Sequence, residues 1–231
     1  MSGTPPLECC VDPLSLPSFR HLLRVVAAAT AALLCSVALA QAPAPIVLIL
    51  GDSISAGYGL PPGTGWAALL EKRLTAAHPP QRVVNASISG DTTAGGRARI
   101  AALLEQHHPL VTIVELGGND GLRGGDLDAM RDNLYAIVAA AQKAKSRVLL
   151  LGIRLPPNYG PAYVQRFAAI FPEVAKTRKT ALVPFLFEGF GEDRAMFQAD
   201  GIHPLGAAQQ KMLDNVWREL KPLLATAAGG K

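Results

Sequence analysis

Four short motifs of this chain combine residue types that could act together in the cleavage of an acyl bond. They are residues 51–53 (Gly-Asp-Ser), 89–91 (Ser-Gly-Asp), 117–120 (Gly-Gly-Asn-Asp) and 200–204 (Asp-Gly-Ile-His-Pro). Together they offer a hydroxyl nucleophile, donors for a developing oxyanion, and a base with an orienting carboxylate. Cleavage of an ester or thioester needs each of these groups, so the four motifs together predict an acyl hydrolase.

Ser53 is the candidate nucleophile, and His203 is the candidate base. Asp200 precedes His203 by three residues, so its carboxylate can hold one imidazole nitrogen while the other nitrogen faces Ser53. Pro204 disfavours helical angles at His203, which predicts that a loop carries the imidazole. Taken singly, Ser53 could merely cap a helix, and the Asp200/His203 pair could be a surface cap. The presence of all four motifs favours the catalytic interpretation.

Two further residues are candidate donors to the oxyanion. Gly90 offers a backbone N–H that no side chain covers, and Asn119 offers a side-chain amide. Both residue types also suit tight turns, so neither is diagnostic alone. A metal site is the weaker interpretation of the same motifs, with the candidate ligands Asp52, Asp91, Asp120 and His203.

Composition and glycine spacing argue against several other classes of function. The glycine-rich segments 57–65 and 117–125 lack the spacing of phosphate-binding loops, so we expect no nucleotide cofactor. The formal net charge is +4, and the basic residues form no run and alternate with no aromatic residues. Nucleic acid is therefore not an expected partner. All 3 cysteines precede residue 41, which excludes a cysteine nucleophile or a zinc–cysteine site from the rest of the chain.

The elements that must position these motifs alternate along the chain. Apolar runs predict strands over residues 46–50, 82–86, 111–116, 148–153 and 181–187. The first run is apolar throughout, which is typical of a central strand buried on both faces. The stretches between the runs are long enough for helices. This alternation predicts an α/β fold in which helices cover both faces of a parallel sheet.

Two covering helices are indicated by their apolar periodicity. One is predicted from the spacing of Met130, Leu134, Ile137, Val138 and Ala141. The other runs from about Gly206 into Leu224, with an inward stripe of Met212, Val216 and Leu220. Ser53, Gly90 and Asn119 each follow a predicted strand, and the carboxyl ends of parallel strands meet at one edge of a sheet. We therefore expect these three residues to lie together.

The first forty residues are typical of an export signal. Basic residues precede the apolar stretch 25–40, and residues 38–40 (Ala-Leu-Ala) suit a signal peptidase. We predict a signal peptide over residues 1–40, cleavage after Ala40, and a hydrolase domain over residues 41–231. The product is then periplasmic or secreted and has no permanent membrane span. An uncleaved amino-terminal anchor is the alternative, although about 16 apolar residues are few for a spanning helix.

The motifs described above resemble the SGNH hydrolase superfamily, also called GDSL-type, which is named for its serine, glycine, asparagine and histidine. The matching residues are Ser53, Gly90, Asn119 and His203, with Asp200 as the third member of a triad. The resemblance extends from about residue 46 to about residue 223. Three segments are similar to the periplasmic branch of multifunctional thioesterases, lysophospholipases and arylesterases: residues 84–92, 114–124 and 153–160.

The resemblance implies a fold, an activity and a set of site residues. The fold is a three-layer α/β/α sandwich of the flavodoxin-like kind, with a central parallel sheet. The activity is that of a serine acyl hydrolase acting on acyl esters, thioesters and lysophospholipids, with no metal or organic cofactor. The N–H groups of Ser53 and Gly90 and the Asn119 amide form the oxyanion hole. The residues expected to bind the acyl chain are Leu122, Leu155, Pro156 and Tyr159.

Two rival functions and the oligomeric state remain open to test. The first rival function is an esterase that removes O-acetyl groups from envelope polysaccharide, which uses the same chemistry in a polar groove. The second is a carrier that binds acyl chains without turnover. We also predict that the protein is a monomer.

Overall fold

Residues 44–225, which the computed structural model describes, contain five strands in one parallel sheet. The strands are β1 (Ile46–Gly51), β2 (Arg82–Asn85), β3 (Val111–Glu115), β4 (Arg147–Leu151) and β5 (Ala181–Val183). Their order across the sheet is β2-β1-β3-β4-β5. This order is that of flavodoxin-like folds, and every neighbouring pair is parallel. The predicted parallel α/β sheet is confirmed.

β1 lies inside the sheet, as its apolar sequence predicts. It pairs with β2 on one side and β3 on the other, and the side chains from Val47 to Leu50 are fully buried. Burying an aliphatic side chain of this kind stabilises the fold by about 1.5 to 3 kcal/mol. The first strand therefore anchors the motif that follows it, at Asp52 and Ser53.

β5 is shorter than the run 181–187 predicts, because Pro184 follows Val183 and has no N–H to donate to a neighbouring strand. The chain turns instead, and the Leu186 N–H donates to the carbonyl of Gly152 at 2.9 Å. As a result, the aromatic residues after Pro184 lie in a loop at the carboxyl edge of the sheet.

Helices cover both faces of the sheet. Within residues 44–225 they are α1 (Ser53–Ala56), α2 (Trp66–Thr75), α3 (Thr93–His107), α4 (Gly118–Leu122), α5 (Leu127–Lys143), α6 (Pro161–Arg178) and α7 (Gly206–Ala225). α2 packs against α7, whereas α3, α5 and α6 pack against one another in series. The sheet lies between these two groups, and the predicted three-layer α/β/α arrangement is confirmed.

Both helices predicted from periodicity are present. All five apolar residues that predicted the first of them are buried on α5. On α7, Met212, Val216 and Leu220 are fully buried, as expected for an amphipathic covering helix. None of the helices within residues 44–225 is long and apolar enough to cross a bilayer. The predicted signal peptide, its cleavage site at Ala40 and the new terminus at Gln41 lie outside the described residues.

Candidate active site

The candidate nucleophile begins the short helix α1, directly after β1. The preceding Asp52 caps this helix, since its Oδ1 accepts a hydrogen bond from the Ile54 N–H at 3.0 Å. Gly57, at φ 76°, ends the helix in a left-handed conformation. The turn presents the Ser53 hydroxyl at the carboxyl edge of the sheet, and the Ser53 N–H is among the donors that a helix start leaves without an intrahelical acceptor.

His203 lies on a loop, as Pro204 predicts, and residues 196–198 hold that loop in place. The Gln198 N–H donates to the His203 carbonyl at 2.8 Å, and the Leu205 N–H donates to the Met196 carbonyl at 2.7 Å. These bonds flank an antiparallel bridge between Phe197 and Pro204. The backbone that carries the imidazole is therefore fixed by a segment outside its own motif.

The side chains of Ser53, His203 and Asp200 form one connected set. Nε2 of His203 lies 2.9 Å from Oγ of Ser53, and Nδ1 lies 2.7 Å from Oδ2 of Asp200. The ring of Tyr58 packs against the imidazole with the two centroids 4.6 Å apart. The structure thus brings together three residues that are up to 150 positions apart in sequence.

The Asp200 carboxylate is held in its ionised form. Partial burial raises its pKa, but the bond from His203 and the backbone N–H groups of Ile202 and His203 outweigh burial and lower the pKa to about 2. Ionised Asp200 accepts the Nδ1 proton, which leaves Nε2 free to accept the proton of Ser53. The arrangement is therefore suited to general-base activation of the serine hydroxyl.

The lowered pKa of Asp200 predicts a pH-dependent contribution to stability. Its folded value, about 2, lies below the ordinary value of 3.8, so the contribution is present above about pH 4 and is lost as the pH falls towards 2. We expect wild type to be more stable than Asp200→Asn above pH 4, with the gap closing between pH 4 and 2. Urea unfolding across this pH range measures the gap. A gap that stayed constant would contradict the assignment.

Of the two candidate oxyanion donors, Asn119 contacts Asp52, the neighbour of Ser53, and Gly90 lies on the loop between β2 and α3. Gly90 has φ 80°, which a residue with a side chain rarely adopts, and its carbonyl accepts a hydrogen bond from Arg123 at 3.0 Å. Asn119 lies in α4, after Gly117, whose φ of 115° likewise favours glycine. Nδ2 of Asn119 donates to Oδ2 of Asp52 at 3.1 Å and to the carbonyl of Asp91 at 2.9 Å. These bonds fix the direction of the amide.

Asn119→Ala is expected to lower kcat by roughly 100 to 1,000-fold, the usual cost of losing one oxyanion donor. KM should change little, because the amide contacts the charge that develops only in the transition state. Steady-state hydrolysis of an aryl ester measures both constants, and Asn133→Ala, on the outer helix α5, is the control. A loss confined to KM would show that Asn119 binds substrate rather than the oxyanion.

The carboxylates proposed as alternative metal ligands are engaged elsewhere. Asp91 pairs with Arg99 at 2.7 Å, and Asp120 accepts hydrogen bonds from the backbone and hydroxyl of Thr93. Asp52 caps α1 and holds Asn119. Within residues 44–225 no group of three or more His, Cys, Asp or Glu side chains is arranged to hold a metal ion. Through these hydrogen bonds and the ion pair, the three carboxylates stabilise the loops around Ser53.

An open cleft of about 480 Å³ leads from Ser53 and His203 along the carboxyl edge of the sheet. This volume is within the range of small-molecule sites. Three of the residues predicted to bind an acyl chain line the cleft, namely Leu122, Leu155 and Pro156. Its other apolar side chains are Ile54, Ile153, Pro157, Phe185, Phe187, Phe197 and Ile202, and its charged side chains include Arg154, Glu192 and Arg194.

Tyr159, the fourth predicted acyl-chain residue, is not part of this lining. Its hydroxyl donates to the carbonyl of Leu122 at 2.9 Å, and its ring stacks on Tyr163 with centroids 6.4 Å apart. Tyr159 therefore supports the loop that carries Leu122. Sequence reasoning missed Phe185 and Phe187 because the run 181–187 was interpreted as strand throughout.

Sequence reasoning also missed Glu115, which lines the cleft and is fully buried. It is the last residue of β3, after four buried residues. A carboxylate at the end of a buried strand was the signal that could have identified it, because charged side chains are rarely buried without a specific partner.

Comparison with known proteins gives a consistent set of relatives. Residues 49–211 match the GDSL-like Lipase/Acylhydrolase family. Esterase TesA of Pseudomonas aeruginosa is 54% identical over 184 residues, which span 80% of this chain and 92% of that protein. Thioesterase 1/protease 1/lysophospholipase L1 of Escherichia coli K12 is 44% identical over 183 residues, 79% of this chain and 86% of that protein. A crystal structure of TesA, 54% identical, matches with a TM-score of 0.75 over 77% of this chain and 99% of that one.

Proposed function

This chain belongs to the GDSL-like lipase/acylhydrolase family and is an ester hydrolase, and from that premise we propose that Ser53, His203 and Asp200 are its catalytic triad. The observation that carries the proposal is the continuous pair of contacts at His203, 2.9 Å to Ser53 Oγ and 2.7 Å to Asp200 Oδ2. The proposed oxyanion donors are the N–H groups of Ser53 and Gly90 and the amide of Asn119.

Acylation begins when His203 Nε2 takes the proton of Ser53 and Oγ attacks the acyl carbonyl carbon. The carbonyl oxygen becomes an oxyanion, which the three proposed donors stabilise. The tetrahedral intermediate collapses with cleavage of the bond to the leaving oxygen or sulfur. His203 returns its proton to that leaving group, and the acyl group remains on Ser53.

Deacylation repeats these steps with water as the nucleophile. His203 removes a proton from water, the resulting hydroxide attacks the acyl-enzyme carbonyl, and the oxyanion forms in the same place. Collapse breaks the bond to Ser53 Oγ, which takes back the proton from His203 and releases the carboxylic acid. Both protons of the Asn119 amide are engaged at present, so Asn119 must release the Asp91 carbonyl as the oxyanion forms, while the stronger bond to the Asp52 carboxylate is kept.

We assign the acyl chain to the apolar part of the cleft. The ring of Phe187 contacts the rings of Phe185 and Phe197, and Leu122 and Leu155 line the same cleft. Such a surface suits a hydrocarbon chain and offers few partners for sugar hydroxyls. Acyl esters and acyl thioesters are the proposed substrates, and lysophospholipids are included because of the relative named lysophospholipase L1.

Covalent trapping tests the proposed nucleophile. An aryl alkylphosphonate is expected to inactivate the enzyme with one adduct per chain, on the peptide that contains Ser53, as mapped by mass spectrometry. Ser87→Ala is the matched control, because it removes a nearby hydroxyl that binds Asn85 and should leave inactivation unchanged. An adduct on another serine would reject Ser53 as the nucleophile.

A chain-length series separates the proposed function from a polysaccharide O-acetyl esterase. We expect kcat/KM on p-nitrophenyl esters to rise from acetyl to longer acyl groups, by up to about 0.8 kcal/mol for each methylene that the cleft buries. Phe187→Ala should flatten that rise and leave acetyl ester hydrolysis nearly unchanged. A sharp preference for acetyl would favour the O-acetyl esterase.

Export is proposed on the sequence pattern of residues 1–40. Cleavage after Ala40 would release a monomeric enzyme into the periplasm or the medium. Amino-terminal sequencing of the exported protein is expected to begin at Gln41. A terminus that retained residues 25–40 would support the alternative of an amino-terminal anchor.

A further inference from the structure

Two carboxyl groups lie together beneath the candidate nucleophile, and the mechanism above uses neither of them directly. They belong to Asp52, which is 2% exposed, and Glu115, which is fully buried. β1 and β3 bring them together, since Gly51 is in register with Glu115. Glu115 accepts a hydrogen bond from the Asp52 N–H, the two carboxyl groups are close enough for the charge of Asp52 to raise the pKa of Glu115, and both residues border the cleft.

Glu115 accepts hydrogen bonds from residues on both sides of Ser53. Its Oε2 accepts a hydrogen bond from the Asp52 N–H at 3.3 Å and another from the Ser55 hydroxyl at 2.7 Å. In the part of the chain that the structure describes, its buried Oε1 has no hydrogen-bond partner. An unpartnered buried carboxylate oxygen is costly, and a proton between the two groups removes that cost.

The lack of an ion pair at either carboxyl group also favours a proton on one of the two. Among residues 44–225 neither Asp52 nor Glu115 forms an ion pair, and Arg99, which reaches the Gly51 carbonyl, pairs with Asp91. Burial raises the pKa of Glu115 well above its usual range, and the charge of Asp52 raises it further. Burial raises the pKa of Asp52 to about 6. Both oxygens of Asp52 already accept hydrogen bonds, whereas Oε1 of Glu115 has no partner among the described residues, so this geometry favours the proton on Glu115 and the charge on Asp52.

Both oxygens of Asp52 bind parts of the active site. Oδ1 accepts from the Ile54 N–H, which fixes the turn that carries Ser53, and Oδ2 accepts from the Asn119 amide. A hydrogen bond from neutral Glu115 compensates the buried charge of Asp52 without adding a second charge. A hydrogen-bond chain thus runs from Glu115 through Asp52 to Asn119.

We propose that Glu115 is a positioning residue of this active site: as a neutral acid it donates a hydrogen bond to the Asp52 carboxylate, which holds the Asn119 amide for the oxyanion. The inference rests on the proposed function, because it assigns a task within that mechanism. Glu115 contacts no reacting atom, so its effect passes through Asp52 and Asn119.

Two substitutions at Glu115 test this role. Glu115→Gln keeps an acceptor for Ser55 and a donor for Asp52, so kcat should stay within about 3-fold of wild type. Glu115→Met removes both, and kcat should fall by roughly 10 to 100-fold with little change in KM, because a misdirected Asn119 retains part of its effect. Thr112→Val is the control for stability alone, since it removes a buried hydrogen bond, to Ser146, from the same strand.

A double-mutant cycle identifies the route of the effect. If Glu115 acts through Asn119, Glu115→Met should add less than about 3-fold to the loss caused by Asn119→Ala, because the two changes remove one interaction. Multiplicative losses would overturn the proposal. So would a folded Glu115→Gln protein as impaired as Glu115→Met, which would mean that Glu115 works as an anion.

Isotope-edited infrared spectroscopy of the wild-type protein tests the protonation state without reliance on the folding of a variant. A protonated carboxyl band is expected at neutral pH and should be missing from Glu115→Gln; its absence from wild type would overturn the proposal. Failure of the proposed function has a different signature. In that case folded Ser53→Ala protein would keep near-native esterase turnover, whatever the band shows, and the role of Glu115 would fall with the triad.

Discussion

Ser53→Ala is expected to lower kcat for ester hydrolysis by roughly 10⁴ to 10⁶-fold, a loss that only another member of the triad should match. The reason is that Oγ forms the covalent bond to the acyl group, and within residues 44–225 Ser53 supplies the hydroxyl that contacts His203 Nε2. The residual rate should reflect only the oxyanion donors and substrate binding. Single-turnover and steady-state assays on one aryl ester measure the loss.

Two additional variants make this result specific to the triad. His203→Ala should cost about as much as Ser53→Ala, and the double variant should lose little more, because members of a triad act as a unit. Ser87→Ala should retain wild-type turnover. Near-native activity in folded Ser53→Ala protein would reject the nucleophile and, with it, the acyl-enzyme mechanism.

Asp200→Asn is expected to lower kcat by about 10⁴-fold while leaving the fold of the loop intact. The amide oxygen of asparagine can still accept the N–H groups of Ile202 and His203, which Oδ1 of Asp200 accepts now. The amide NH₂ would instead face His203 Nδ1 and favour the tautomer with the proton on Nε2. That imidazole cannot accept the proton of Ser53.

Asp193→Asn is the matched control for this substitution. It makes the same chemical change at a nearby residue whose Oδ1 caps the Ala195 N–H at 3.0 Å, a bond that asparagine can keep. Activity and thermal stability of this control should match wild type. A loss of less than about 10-fold in Asp200→Asn would show that His203 keeps its tautomer without the carboxylate, contrary to the proposed triad.

The strands and helices could be predicted from the sequence because each depends on the pattern of apolar residues within its own segment. The continuous apolar run of β1 specifies a strand buried on both faces, and the stripe through Met130 and Leu134 specifies α5. Pro204 likewise placed His203 on a loop. The predicted end of β5 was wrong. The residues after Val183 are largely apolar, but Pro184 has no N–H to donate to a neighbouring strand, so the strand ends before it.

The acyl-chain surface could be predicted only in part for a different reason. Leu122 and Leu155 line the cleft, but Tyr159 turns its hydroxyl to the Leu122 carbonyl, and Phe187 comes from a loop that was expected to be strand. Which apolar side chains face a cleft depends on the relative position of separate loops. That position is set by packing across the whole sheet, not by any one segment.

By itself, the sequence determined the α/β class, the strand and helix pattern, and the chemical groups available at the carboxyl edge of the sheet. These properties follow from apolar periodicity, from the backbone preferences of proline and glycine, and from side-chain chemistry. All of them are set by residues close together in the sequence. Only the tertiary structure decided that His203 lies 2.9 Å from Ser53, and that Glu115 meets Asp52 beneath it. Such contacts join residues far apart in sequence, so their distances arise from the register of β1 and β3 and from the bridge that holds the His203 loop.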